Sequence, residues 1–306
     1  MNCRTIKTRL LQHFLPLLFL TTLSLPSLAR TSPNVLIITA HPDDESGMAA
    51  TVWKITHALK GNVDLALITN GEGGYKYSSL ANIIYGHELT DEDTGRALLP
   101  AIRKKELMAG GEIIGLRNYF FLDQQDHKYT LNVDSTFSYV WDTAFVAKRL
   151  ARIMEQGEYD YVFCLLPTPG THGHHKGATI MALEAVSRME GKNRPVVLGV
   201  STSTEGDSVE VFKGLPGYPR TTISTGLPSF EFDRRSPFGY KNQLNYKIIV
   251  NWLIAEHKSQ GTMQLGVNGG DFEEFWWFDL NDRKRFEETE ELFRKLAESF
   301  FEELEY

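Results

Sequence analysis

Apolar residues occur along this chain in two arrangements that alternate. Short continuous runs at 35–38, 63–69 and 161–166 are typical of strands that are buried on both faces of a parallel sheet. Longer segments such as 47–59 and 137–154 repeat their apolar residues at helical spacing. This alternation predicts an α/β fold, with a Rossmann-like, mostly parallel sheet and helices on both faces.

Two later segments depart from the alternation. The stretch 201–240 is rich in Gly, Pro, Ser and Thr with short β-like pieces, which predicts an irregular or β-rich insertion over the sheet edge. The stretch 283–304 predicts a charged amphipathic C-terminal helix, whose polar face is most simply solvated. Because no repeat, low-complexity tract or clear linker interrupts the chain, we expect a single domain over 30–306.

The N-terminus has the pattern of an export signal. Arg4, Lys7 and Arg9 precede an apolar core at 14–20, and a small-x-small cleavage site ends at Ala29. We therefore expect residues 1–29 to be a cleaved signal peptide and the protein to be periplasmic or secreted. An N-terminal anchor is the alternative, but the apolar stretch is short and holds prolines, so we expect no stable membrane span after cleavage.

Composition excludes some classes of partner. The 306 residues are 42% hydrophobic and 23% charged, which permits a sizeable core. The net charge of −7 and the lack of a dense basic stripe argue against nucleic acid as a main partner. Cleavage of the signal peptide would remove Cys3 and leave Cys164 as the only cysteine. The core must then stabilise the domain without an intramolecular disulfide. The oligomeric state stays open.

Two polar clusters carry the candidate chemistry. His41, Asp44 and neighbouring carboxylates directly follow the first predicted strand, and His175 lies in a histidine cluster after the strand at 161–166. The carboxyl ends of parallel strands share one edge of the sheet, so the two clusters can meet there. Packed carboxylates repel one another unless a cation neutralises them. Two histidines and one aspartate form a catalytic zinc shell, although other divalent metals also suit it.

The two clusters also carry a family resemblance. Ala-His-Pro-Asp-Asp-Glu at 40–45, with a later His-x-x-His at 172–175, resembles the PIG-L/LmbE family of zinc-dependent deacetylases. Weaker similarity extends the resemblance over most of 34–260. It implies an LmbE-like fold, a zinc cofactor and removal of acetyl from N-acetylglucosaminyl groups. The partner would be a small molecule or glycoconjugate bearing an N-acetylated sugar.

The resemblance implies a role for each residue of the motifs. His41, Asp44 and His175 become the metal ligands, and Asp43 becomes the general base. His172 becomes the residue that faces the developing oxyanion or the leaving amine. These assignments agree with the chemistry, because a carboxylate beside the metal can move a proton and a protonated His172 can stabilise an oxyanion.

The chain departs from the family pattern at one position. The family commonly shows His-x-Asp-His, but the third residue here is His174. An aspartate would orient a neighbouring imidazole and favour its protonated form, which a histidine does poorly. His174 itself stays open as a metal ligand or as a substrate contact.

Further polar residues, in loops after predicted strands and on the helix predicted at 101–114, are candidate substrate contacts. They are Glu72, Arg103, Asp123 and Asp126, because carboxylate and guanidinium groups bind sugar hydroxyls well. An ordinary helix pair with Glu106 is the alternative for Arg103. Two other functions stay open: a non-catalytic carbohydrate-binding protein on the same scaffold, and an amide hydrolase acting on a non-sugar substrate.

Overall fold

A computed structural model describes residues 32–189, 191 and 194–300. The predicted signal peptide lies outside these described residues. The strands are β1 (Asn34–Thr39), β2 (Asn62–Thr69), β3 (Asn118–Gln124), β4 (Tyr161–Leu165), β5 (Val196–Ser203), β6 (Phe230–Asp233), β7 (Pro237–Phe238), β8 (Leu244–Asn245) and β9 (Phe272–Trp277). The helices are α1 (Ala49–Trp53), α2 (Ser79–Tyr85), α3 (Glu92–Ile114), α4 (Val133–Tyr139), α5 (Thr143–Gly157), α6 (Gly173–Ser187), α7 (Lys247–Glu256) and α8 (Phe286–Ala297).

Seven of these strands form one sheet in the order β3-β2-β1-β4-β5-β9-β6. The first five are parallel, and β9 and β6 extend the sheet by antiparallel pairing. The strand order reverses between β1 and β4, which makes a crevice at their carboxyl ends, where open α/β sheets bind ligands. The predicted mostly parallel sheet is thereby confirmed, with β7 and β8 forming a small separate hairpin.

The sheet has a hydrophobic core on each face. Val35 and Ile37 of β1 belong to one core, together with apolar residues of α1, α3, α7 and α8. Leu36 and Ile38 point the other way into a second core with residues of α5 and α6. Both faces of β1 are therefore buried, which explains why its apolar residues run without alternation.

Several boundaries differ from the sequence prediction. The segment 137–154 contains two helices, because Asp142 ends the turn between them and accepts the N–H of Phe145 to start α5. The C-terminal α-helix runs from Phe286 only to Ala297. His172 directly precedes α6, and His174 and His175 lie in its first turn. No helix in the described part of the chain combines the length and apolar character needed to span a bilayer.

Strand β9 has no counterpart in the sequence prediction. Its acidic residues hide the strand pattern, yet Glu273 is fully buried. The Glu273 carboxylate accepts the backbone N–H groups of Ala50 and Thr51 at 2.9 and 2.8 Å, and also binds Arg234. A carboxylate at a helix N-terminus satisfies free N–H groups and is favoured by the helix dipole. Glu273 therefore anchors the helix that follows the first polar cluster.

Candidate metal centre and its cavity

The first cluster is fixed by a turn directly after β1. Asp44 folds back under the strand end, where its Oδ2 accepts the backbone N–H groups of Ala40 and His41 at 2.9 and 2.8 Å. Its other oxygen, Oδ1, lies 3.1 Å from His175 Nε2. The turn therefore presents one carboxylate oxygen to the second cluster across the crevice between β1 and β4.

Three donor atoms from the two clusters converge. His41 Nδ1 lies 2.9 Å from His175 Nε2 and 3.8 Å from Asp44 Oδ1. Thr171 fixes the His175 ring through its hydroxyl, 2.9 Å from Nδ1. Ligand atoms about 2.0–2.1 Å from a tetrahedral zinc ion lie roughly 3.3 Å apart, and the observed spacings bracket that value. Two imidazoles and a carboxylate thus fit a divalent cation, and the structure brings together the three ligands named from the sequence.

The electrostatics of the cluster favour positive charge. Burial alone would raise the pKa of Asp44, but the neighbouring His175 and His41 hold it well below its usual range. Burial alone would lower the pKa of His41, but Asp126 and Asp44 raise it to about 10. Buried carboxylates around His41 therefore stabilise a cation there, whether it is a proton or a metal ion.

Asp43 lies beside this cluster on the cavity wall, with its side chain 22% exposed. Its Oδ2 accepts a hydrogen bond from Arg103 Nη2 at 3.0 Å. The buried Arg103 also donates to the carbonyl oxygens of Pro42 and Gly71. Arg103 thus lines the cavity, and the hydrogen bonds of its Nη1 and Nη2 atoms orient Asp43 and the two loops.

His172 precedes α6 and stacks on Tyr129, with ring centroids 5.0 Å apart. Burial, with the imidazoles of His41 and His174, lowers the pKa of His172 to about 3. The ring is therefore neutral at neutral pH, which agrees with the poor support for a protonated imidazole that histidine at position 174 implied. Its Nε2 lies 3.3 Å from the carbonyl oxygen of Lys128, so Nε2 carries the hydrogen and Nδ1 keeps a lone pair.

Asp126 and His174 lie behind His41. His41 Nε2 is 3.5 Å from Asp126 Oδ1 and 3.2 Å from His174 Nδ1. Burial alone would raise the pKa of Asp126, but His41 and His174 hold it well below the usual range. His174 is completely buried. Its placement does not support a contact with substrate, while Asp126 contributes to the cavity wall.

Glu72 and Asp123 do not line the cavity in the described structure. Glu72 accepts hydrogen bonds from Arg96 and Asn70, each at 3.1 Å. Asp123 is half-exposed and forms an ion pair with Lys104. Their placement gives both carboxylates protein partners and no direct route to a ligand beside His41.

The cavity has a volume of about 450 Å³, and both polar and apolar side chains line it. The polar lining includes the candidate ligands and Asp43. The apolar and aromatic lining includes Tyr75, Tyr77, Tyr129, Leu165 and Met263. These residues were not predicted from the sequence, because single tyrosines in polar loops resemble ordinary surface residues. Tyr129 alone lies in a position that could have indicated a contact with ligand, the loop after β3 at the carboxyl edge of the sheet.

A second buried pair, Glu45 and His257, lies next to the first cluster. Glu45, adjacent to Asp44, is fully buried, and its Oε1 lies 2.6 Å from Nε2 of the fully buried His257. Burial lowers the pKa of His257, but Glu45 outweighs it and the net shift is upward. The buried position of His257 and its contact with Glu45 indicate a structural role.

We expect His257→Gln to destabilise the fold by about 3–5 kcal/mol, because it leaves a buried carboxylate without its counter-ion. Since folding raises the pKa of His257, its stabilising contribution is complete below pH 6.5 and declines as pH rises through the folded-state pKa. Urea unfolding at pH 6 and pH 9 measures both effects. His87→Gln, on the surface, is the control and should change stability by less than about 0.5 kcal/mol. Equal stability of wild type and His257→Gln would contradict the assignment.

Comparison with known proteins shows similarity between this part of the chain and a family. Residues 36–186 match the PIG-L family, described as GlcNAc-PI de-N-acetylase. This segment contains both polar clusters and the strands that carry them. The resemblance to the PIG-L/LmbE family drawn from the sequence is therefore confirmed for this segment.

Individual proteins are similar to the chain over most of this region. A probable N-acetyl-alpha-D-glucosaminyl L-malate deacetylase 2 of Bacillus cereus is 26% identical over 176 residues, which are 58% of this chain and 71% of that protein. A triple mutant of a deacetylase from the teicoplanin biosynthetic pathway superposes with a TM-score of 0.53 at 14% identity, covering 82% of this chain and 100% of that one. N,N'-diacetylchitobiose deacetylase of Pyrococcus horikoshii gives 0.46 at 20% identity, covering 80% and 83%. The teicoplanin-pathway structure supports the predicted fold.

Proposed function

We propose that this protein is a metal-dependent N-deacetylase that hydrolyses the acetamide of an N-acetylglucosamine-type sugar or glycoconjugate. The observation that carries the proposal is the convergence of His41, Asp44 and His175 beside the partly exposed Asp43. The match of residues 36–186 to the PIG-L family and the name of the Bacillus relative support the sugar amide as substrate. Zinc is the proposed cofactor, because the three donors form its usual catalytic set.

The proposed reaction needs an activated water and a proton carrier. A divalent cation held by the three ligands would lower the pKa of water and polarise the amide carbonyl. Asp43 takes a proton from the attacking water and returns it to the amine nitrogen as the C–N bond breaks, which leaves acetate and a free amine. Arg103 holds one oxygen of Asp43, so the carboxylate keeps its orientation through both transfers.

His172 takes part in this proposal as a neutral imidazole. Its Nε2–H is directed at the Lys128 carbonyl, so the group available on the other side of the ring is the Nδ1 lone pair. A lone pair there can accept the N–H of an acetamide or of the released amine. Tyr129 stacks on one face of the His172 ring and restricts the imidazole to this orientation.

The apolar and aromatic residues that line the cavity favour a substrate with more than a bare sugar. Tyrosine rings and Met263 present apolar surface that a pyranose face or an attached group can cover. Tyr129 is 66% exposed, so an occupant of the cavity would bury apolar area that is otherwise hydrated. A conjugate in which N-acetylglucosamine is joined to a second group could contact both the polar and the apolar lining residues.

A screen of purified protein tests the proposal. We expect about one zinc ion per chain and release of acetate from N-acetylglucosamine conjugates, lost on chelation and restored by zinc. Matched N-acetyl amino acids serve as non-sugar amides. Acetate release from these alone would point to a non-sugar amide hydrolase. Sugar binding without acetate release at any metal loading would instead point to a carbohydrate-binding protein and overturn the proposal.

A further inference from the structure

We propose that Asp126 is a positioning residue that orients His41 for the metal, and that an aspartate at position 174 could replace it. This inference rests on the proposed metal site. A histidine that gives one nitrogen to a metal commonly donates its other N–H to a carboxylate or carbonyl, which fixes the ring and its tautomer. His41 Nδ1 faces His175 and Asp44, so the nitrogen that needs such an acceptor is Nε2.

Asp126 is held so that it can serve as this acceptor. Its Oδ2 accepts the backbone N–H of Gly73 at 3.1 Å, and its own carbonyl oxygen accepts a bond from Arg96 at 3.1 Å. Oδ1 is left to face His41 Nε2 at 3.5 Å and His174 Nδ1 at 3.3 Å. A Cβ atom on residue 73 would lie 2.9 Å from that same Oδ1, so the close approach requires glycine.

The hydrogen-bond partners of His174 indicate which of two neighbours, Asp126 or His174, accepts the Nε2–H of His41. His174 Nε2 is buried and has no partner among the described residues. A buried N–H without an acceptor is costly, so the hydrogen of a neutral His174 belongs on Nδ1, where Asp126 accepts it. His174 Nδ1 then has no lone pair for His41, although it lies 3.2 Å away. Asp126 Oδ1 is therefore the acceptor for both rings, and His174 helps to hold it.

Residue 174 has the right geometry to supply the carboxylate itself. In histidine the Nδ1 atom and in aspartate the Oδ atoms are all bonded to Cγ, so His174→Asp places an oxygen near the present Nδ1. That position is 3.2 Å from His41 Nε2. With Asp126 still present, two carboxylates would share the space and repel each other. With Asp126 neutralised, the new carboxylate would restore the acceptor.

This geometry predicts that one substitution has opposite effects in two backgrounds. In the full chain, Asp126→Asn should weaken zinc affinity by about 10- to 100-fold, as loss of an outer hydrogen-bond partner does. His174→Asp should weaken binding in the wild type, yet strengthen it when added to Asp126→Asn. Competition between the protein and a zinc chelator, with zinc alone as the ligand, measures all four affinities without any activity assay.

Controls separate positioning from folding. Asp207→Asn, an exposed carboxylate, should leave zinc affinity unchanged. Gly73→Ala keeps every charge but displaces Asp126 Oδ1, so it should also weaken binding even if Asp126→Asn proves too unstable to measure. Circular dichroism melting of the metal-free proteins identifies variants that fail to fold.

Defined outcomes overturn the inference. They are unchanged affinity in Asp126→Asn or Gly73→Ala, additive effects in the double variant, and two zinc ions per chain with one held by His41, Asp126 and His174, a group that could also bind an ion. A wild-type protein that binds no zinc would defeat the proposed function instead. Wild-type binding with an insensitive Asp126→Asn would defeat only the positioning role.

Discussion

Replacing His175 with alanine should abolish both metal binding and acetate release. The substitution removes one of three converging donors and leaves His41 and Asp44 as an incomplete shell. Loss of an outer hydrogen-bond partner can lower metal affinity by about 100-fold. Because His175→Ala removes a direct ligand, zinc affinity should fall by more than that. Acetate release should fall with it. Zinc per chain after dialysis and acetate release at saturating substrate measure the two losses.

A matched substitution makes this result specific. His87 is exposed and far along the chain from both clusters, so His87→Ala should keep its zinc and its activity. The His175→Ala protein should also retain its fold. The His175 side chain is part-exposed, and its hydrogen bonds are to Thr171 and to the ligand cluster. Full activity or full zinc content in His175→Ala would remove the basis of the proposed metal site.

The parallel core of the fold was predictable because its signals are local. Runs such as 35–38 and 161–166 bury both faces of a strand, so their sequence is uniformly apolar and easy to recognise. Strand β9 depends on distant partners: Ala50 and Thr51 donate backbone N–H groups to the buried Glu273 carboxylate, and Arg234 supplies its counter-charge. A strand stabilised in that way carries no local pattern that predicts it.

The candidate ligands were predictable for a related reason. His41 and Asp44 follow one buried strand and His175 another, so topology alone brings them to one edge. The surroundings of these residues were not predictable from spacing. The neutral state of His172 comes from burial and from neighbouring imidazoles, which are properties of the folded site. The contact between Asp126 and His41 joins residues 85 positions apart, and nothing near either residue announces it.

Asp43→Asn should separate chemistry from metal binding. Asparagine has nearly the same shape, and its side-chain oxygen can still accept the bond from Arg103 that now measures 3.0 Å. The ligand atoms of His41, Asp44 and His175 are not altered, so zinc content should stay at about one per chain. The amide cannot take up a proton, so kcat should fall by about 10²- to 10⁴-fold. KM for an N-acetylglucosamine conjugate should change little, because Asp43 acts mainly in the transition state.

The comparison with Asp93→Asn removes the general effect of losing one negative charge, because Asp93 is exposed at the start of α3. Metal retained with unchanged kcat would show that another group carries the proton. Loss of zinc would show that Asp43 supports the ligand shell directly. A binding protein would hold its sugar equally with and without the Asp43 carboxylate, since binding needs no proton transfer. Selective loss of kcat is therefore the result that only a hydrolase with Asp43 as its base can give.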